Sequence, residues 1–167
     1  MLRLLCILLL LVFSAEPLDA LDGASFAPLD GLGRARFAVA WVDAHTLDSE
    51  RGSIRGILPT GYEAVETETG GWYWNRCHLI GAQLAHGTEV PENIVTGTSW
   101  MNHALMQPVE NQIAAYVART GNHVLYIVEP DFAGDELICR GIWLRAYSIE
   151  DDELRIALYA ENAPGPD

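Results

Sequence analysis

GWYWNRCHLIGAQ, Gly71 to Gln83, is the stretch on whose reading the rest of the chain depends. Trp72, Tyr73 and Trp74 read as a stiff strand that carries Asn75-Arg76-Cys77-His78 at its end, with Leu79-Ile80-Gly81 as a short apolar step beyond it. An imidazole titrating near neutrality can take a proton from water, and a guanidinium can steady an anion, so the pair is equipment for attacking a phosphodiester.

Working outward, residues 36–42 (RFAVAWV) have strand character, and residues 43–62 form a loop punctuated by Gly52, Gly56, Pro59 and Gly61. That loop carries Arg51 and Arg55, which read equally well as phosphate grips or as solvated surface charge. A strand over residues 72–80 is followed by another over 94–98. Residues 99–119 are helical, most clearly after Pro108, where Val109, Ile113, Tyr116 and Val117 share a face and Gly121 supplies a stop. Residues 124–128, 136–149 and 154–159 then read as strands of an antiparallel sheet, with Ala133-Gly134-Asp135 as a turn. The class is α+β, with the order strand, connection, strand, helix at its centre. Spacing alone makes Asn102 a helix cap and Glu110 a favourable charge in the first turn after Pro108.

The 167 residues, half of them hydrophobic, suffice for one domain with a real core. Residues 1–15 read as a secretory signal: Arg3, then an apolar run too short for a comfortable membrane span. A retained N-terminal anchor is the alternative; otherwise no stable membrane association is expected. Residues 16–33 read as a linker or arm ending in the turn Asp30-Gly31, and residues 34–167 as the folded domain. Cys6 leaves with the leader, which leaves Cys77 and Cys139 and an open question whether they pair. A formal charge of −13 opposes nucleic-acid binding at first sight. Its distribution softens that objection, because Arg34, Arg36, Arg51, Arg55 and Arg76 precede His78 while acids crowd the end. The chain holds no lysine, so every fixed cation is an arginine suited to bidentate phosphate contact.

The stretch 71–83, taken with Asn93-Ile94-Val95-Thr96-Gly97-Thr98, Met101-Asn102-His103 and Pro108-Val109-Glu110-Asn111-Gln112, resembles the bacterial DNA/RNA non-specific endonucleases of the ββα-metal (His-Me finger) fold. The likeness runs from about Pro28 to Pro166. It departs from the family's Asp-Arg-Gly-His pattern at Asn75 and Cys77, as an Asn-Arg-x-His form. The resemblance implies a ββα core packed on a mainly antiparallel sheet and a secreted, sugar-nonspecific endonuclease acting on DNA and RNA. It further implies Mg²⁺, with Mn²⁺ as a substitute, bound by Asn102. Catalysis is then expected from His78 as the base, Arg76 on the phosphate and Glu110 through the ion's waters, with Arg51, Arg55, Asn75 and Asn111 as substrate contacts. Asn102 and Glu110 would be about 12 Å apart on a straight helix, so a break at Pro108 is expected between them.

Three rivals stand beside this reading. A Cys77/His78 nucleophile pair is disfavoured because neighbouring side chains on a strand point to opposite faces. A zinc site from Cys77, His78 and Cys139 lacks the usual ligand spacing. A nuclease-derived binding module that has lost turnover fits the acidic charge but not the retained His78, Asn102 and Glu110. The other histidines, His45, His86, His103 and His123, read as structural.

Overall fold

The computed structural model describes residues 23–48, 52–68 and 70–165, and its largest element is a five-stranded antiparallel sheet. The strands are β1 (Gly23–Phe26), β2 (Ala38–Val42), β5 (Val124–Asp131), β6 (Gly141–Ser148) and β7 (Arg155–Glu161), in the spatial order β1-β2-β5-β6-β7. The remaining strands, β3 (Trp74–His78) and β4 (Ile94–Thr98), form a two-stranded antiparallel sheet among the described residues. Alternation on β2, β5 and β6 sends Ala38, Ala40, Val42, Val124, Tyr126, Val128, Ile142, Leu144 and Ala146 into the main core. Val39, Leu125 and Ile127 gather with Phe37 in a smaller cluster apart from it.

The strand at Gly23–Phe26 corrects the arm expected over residues 16–33. Its register with β2 runs from Gly23 opposite Trp41 to Phe26 opposite Ala38. Four residues that include Gly and Ser lack the β-branched run by which strands are recognised, and the ladder to β2 supplies what local propensity does not. The turn at Asp30 does form: its Oδ1 accepts from the N–H groups of Leu32 and Arg34, and its Oδ2 from Arg34 Nε at 2.7 Å. The leader expected over residues 1–15 lies outside the described residues.

Three strands are shorter than expected, β2 among them, which begins at Ala38 rather than at Arg36. β3 begins after Gly70 and Gly71, both at positive φ, and ends at His78. β6 begins only at Gly141, because residues 133–140 are taken up by a turn in which Arg140 pairs with Glu136.

The helical segment departs from the expected break at Pro108. Trp100–Met106 is a π-helix, and the α-helix α1 (Gln107–Thr120) continues from it with right-handed helical dihedrals at both Met106 and Gln107. The Gln107 N–H reaches back to the carbonyl of Asn102, the i→i+5 bond of a π turn. An interior proline lacks an N–H and strikes the carbonyl four residues earlier. A wider turn just ahead of Pro108 relieves that conflict, so the helix is rewound rather than broken. α1 buries Val109, Glu110, Ile113, Tyr116 and Val117, and Gly121 ends it in the left-handed region at φ 72°.

Candidate active site

β3 places His78 at its last position, opposite Ile94 of β4. Pleating puts Trp74, Arg76 and His78 on one face and sends Cys77 into the core with no exposed surface. Beyond His78 the chain is fixed by Asn93, which is fully buried. The carbonyl of Asn93 accepts from the N–H of Leu79 at 2.8 Å and its Oδ1 from the N–H of Ile80 at 2.9 Å. Its Nδ2 donates to the carbonyls of Ile80 and Thr88, both at 2.9 Å.

The next peptide joins this loop to the helix. The Gly81 N–H donates to Glu110 Oε1 at 2.7 Å, while Gln83 Nε2 lies 3.4 Å from Glu110 Oε2 and 3.2 Å from Asn111 Oδ1. A Cβ on Gly81 would sit 2.4 Å from Glu110 Oε2, so only glycine admits the carboxylate here. Tyr126 lies fully buried in the sheet below. Burial first, and the Glu110 carboxylate second, push its phenol well above its ordinary value, so it stays neutral.

His78 from β3, Asn102 from the π-helix and Glu110 from α1 line one cleft of about 200 Å³, together with Gly81, Gln83 and His103. Arg76 is not in that cleft. Its Nε donates to the carbonyl of Ile57 at 2.9 Å, and its guanidinium stacks 4.3 Å over the ring of Tyr62. There it lines an adjoining cavity with Arg55 and Asn75. Asn75 is three residues from His78 and so on the opposite pleat; its Nδ2 is buried with no hydrogen-bond partner among the described residues. Asn111 sits at the rim through Gln83, and Arg51 lies outside the described residues.

Cys77 and Cys139 are free, buried thiols. Burial pushes Cys139 up to about 12 and Cys77 higher still, so neither forms a thiolate near neutrality. The structural reading of the other histidines is corrected in part: His45, His86 and His103 are exposed, His103 at the cleft. His123 packs on Trp41 and pairs with Glu150.

A family model described as DNA/RNA non-specific endonuclease matches residues 19–149, most of the chain. The chain belongs to that endonuclease family. Its fold is the ββα-metal nuclease fold, and solved structures agree. NucA from Streptococcus agalactiae with magnesium bound superposes at a TM-score of 0.74 and 22% identity, covering 84% of this chain and 70% of that one. Sda1 nuclease with a bound zinc ion gives 0.72 at 19% identity, covering 86% and 76%. An extracellular nuclease gives 0.63 at 21% identity, covering 89% of each chain. No curated protein matches the sequence significantly.

In this member of the endonuclease family, Asn93, Gly81 and Gln83 are the positioning residues that the sequence reading passed over. Asn93 opens the segment Asn93 to Thr98, but its job depends on meeting a loop thirteen residues away. Only Gly81 left a local trace, a glycine directly after the apolar step.

Proposed function

We propose that the chain is a secreted, divalent-metal-dependent endonuclease that hydrolyses phosphodiester bonds of DNA and RNA, with Mg²⁺ as the ion and Mn²⁺ as a substitute. The observation that carries this reading is the meeting of His78, Asn102 and Glu110, from three separate elements, around one cleft.

The donor chemistry fits such an ion. Asn102 offers an amide oxygen and Glu110 a carboxylate, the hard oxygens that Mg²⁺ prefers. Among the described residues no three His, Cys, Asp or Glu side chains are grouped for a metal, which favours one asparagine plus waters over a protein cage. Glu110 is already engaged by Gly81 and Gln83, which supports a contact through water rather than direct ligation. The cleft, at about 200 Å³, has room for several waters at about 30 Å³ each. A bound divalent ion supplies positive charge to the scissile phosphate and to the departing 3′ oxygen.

The protein's own part is orientation and proton transfer. His78 takes a proton from the attacking water, and Asn93 fixes the chain on which the imidazole ends. Gly81 and Gln83 hold the Glu110 side chain in place at the cleft. Arg76, braced on Tyr62, steadies the phosphate from the neighbouring side.

If His78 only removes a proton, its imidazole need not be covalently attached. His78→Gly is expected to lose activity roughly 10²- to 10⁴-fold and to recover part of it when free imidazole is added. Wild-type turnover in a folded His78→Gly protein would remove this histidine from the mechanism.

A further inference from the structure

The cavity next to the cleft has a different character from the cleft itself. It measures about 430 Å³ and is lined by Tyr62, Trp72 and Trp74 together with Arg55 and Arg76. Trp72, just ahead of β3, is 55% exposed, whereas Tyr73 and Trp74 after it are half-buried. An indole held in water is a poor choice for stability and a good one for stacking.

The platform is also rigid. Tyr73 packs edge-on against Trp74 at 4.6 Å, and its N–H donates to the carbonyl of Val65, while Glu66 and Trp72 form an isolated bridge, which ties Trp72 to the segment before it. Tyr62 is fixed through Thr60, whose hydroxyl donates to Leu137 and whose carbonyl accepts from Thr96 of β4. The guanidinium carbon of Arg76 sits 4.3 Å from the centre of the Tyr62 ring. Its terminal nitrogens make no hydrogen bond among the described residues, so they remain available to a phosphate.

We propose that Tyr62, Trp72 and Trp74, with Arg55 and Arg76, form a subsite that stacks an unpaired nucleobase of the strand being cut, making single-stranded nucleic acid the preferred substrate. The proposal rests on the nuclease reading above and adds a substrate class to it. Arg76 and His78 are two residues apart on β3, about 7 Å along the strand. A strand with its scissile phosphate in the cleft therefore brings an adjacent nucleotide to the aromatic wall. A duplex hides the faces of its bases, whereas an unpaired base offers them to any aromatic ring. Glu63, Glu66 and Glu68 lie on the segment leading to Trp72 and repel a run of phosphates across it, so the wall suits a base rather than the backbone. Stacking also gives affinity without counterion release, which suits a chain of formal charge −13.

The test is equilibrium binding in excess chelator, with 5′-fluorescein oligothymidylate, oligouridylate, an abasic strand of equal length, and a blunt duplex as probes. Trp72→Ala is expected to weaken binding of at least one of the two base-bearing strands roughly five- to a hundredfold. It should affect the abasic strand much less, and Trp72→Phe should restore most of the loss. Trp72 is exposed, and thermal unfolding checks that the variants keep their fold. Equal binding of the abasic and base-bearing strands by the parent protein, or unchanged binding in Trp72→Ala, overturns the subsite. Cleavage of plasmid and of the single-stranded probes by the parent protein, with Mg²⁺ restored, is measured alongside. If the parent cleaves plasmid but Trp72→Ala binds single strands normally, only the subsite falls; if the parent cleaves no nucleic acid, the nuclease reading falls with it.

Discussion

At Gly81 a single methyl group would meet the Glu110 carboxylate at 2.4 to 2.8 Å. Gly81→Ala is therefore expected to displace that carboxylate while leaving the core untouched. Displacement of a catalytic group by about 1 Å costs on the order of 10²-fold in rate. Steady-state kinetics should show that fall in kcat with little change in Tm; normal kinetics would mean that Glu110 need not sit where Gly81 holds it. Cys77 makes the opposite case. Its thiol is buried, faces away from His78 and is held protonated, so Cys77→Ala should keep most activity and lose only packing. Loss of cleavage in a folded Cys77→Ala protein would revive the cysteine mechanism. His78, Asn102 and Glu110 were legible because their residue types and order match a family pattern. Asn93 and Gln83 were not: an asparagine that bonds a distant loop and a glutamine that holds a carboxylate look, in sequence, like any other polar side chains.

The elements tell a similar story in their windings and ends. Periodicity gave the buried face of α1 and its Gly121 stop, because those depend on residues three and four apart. Distance arithmetic between Asn102 and Glu110 showed that a straight α-helix could not serve both, yet it pointed to a break where the chain makes a π turn instead. Pro108→Ala removes the reason for that turn. Tm should hold or rise, since alanine suits a helix better than proline, while activity falls as Asn102 moves relative to Glu110. Full activity in Pro108→Ala would show that the π turn does not depend on the proline. The end of α1 carries a pH dependence. Asp151 accepts from the Glu153 N–H, and it also bonds Tyr116 and Asn122. Those bonds, led by the Glu153 N–H, hold its carboxyl below its ordinary value. A depressed folded pKa means stability that is present above the unfolded value and lost as pH falls through the folded one. Thermal unfolding of the wild type should thus weaken below about pH 4, and Asp151→Asn should lack that share of the drop. An identical acid profile in the two proteins would remove Asp151 from the account. The edge strand β1 escaped the sequence because its strand character comes from pairing with β2, which no local window contains.

Over the whole molecule, charge and fold pull in different directions. A family built to handle polyanions is represented here by a chain of formal charge −13 without one lysine. On the reading proposed above, affinity comes from a few arginines, from stacking and from a bound cation rather than from a basic field. With two or three phosphate contacts, log K against log salt should fall with a slope of only about −2. A slope of about −6 or steeper would show many more contacts than this surface offers. The central claim is that the cleft of His78, Asn102 and Glu110 hydrolyses phosphodiesters with a divalent ion. It is tested most directly by following conversion of supercoiled plasmid to nicked and linear forms, with Mg²⁺ and with excess EDTA, for the wild type and Asn102→Ala. The account predicts cleavage by the wild type with Mg²⁺, none in EDTA, recovery when Mg²⁺ or Mn²⁺ is restored, and loss of turnover in a folded Asn102→Ala protein. Undiminished cleavage in EDTA, or full activity in Asn102→Ala, would contradict it.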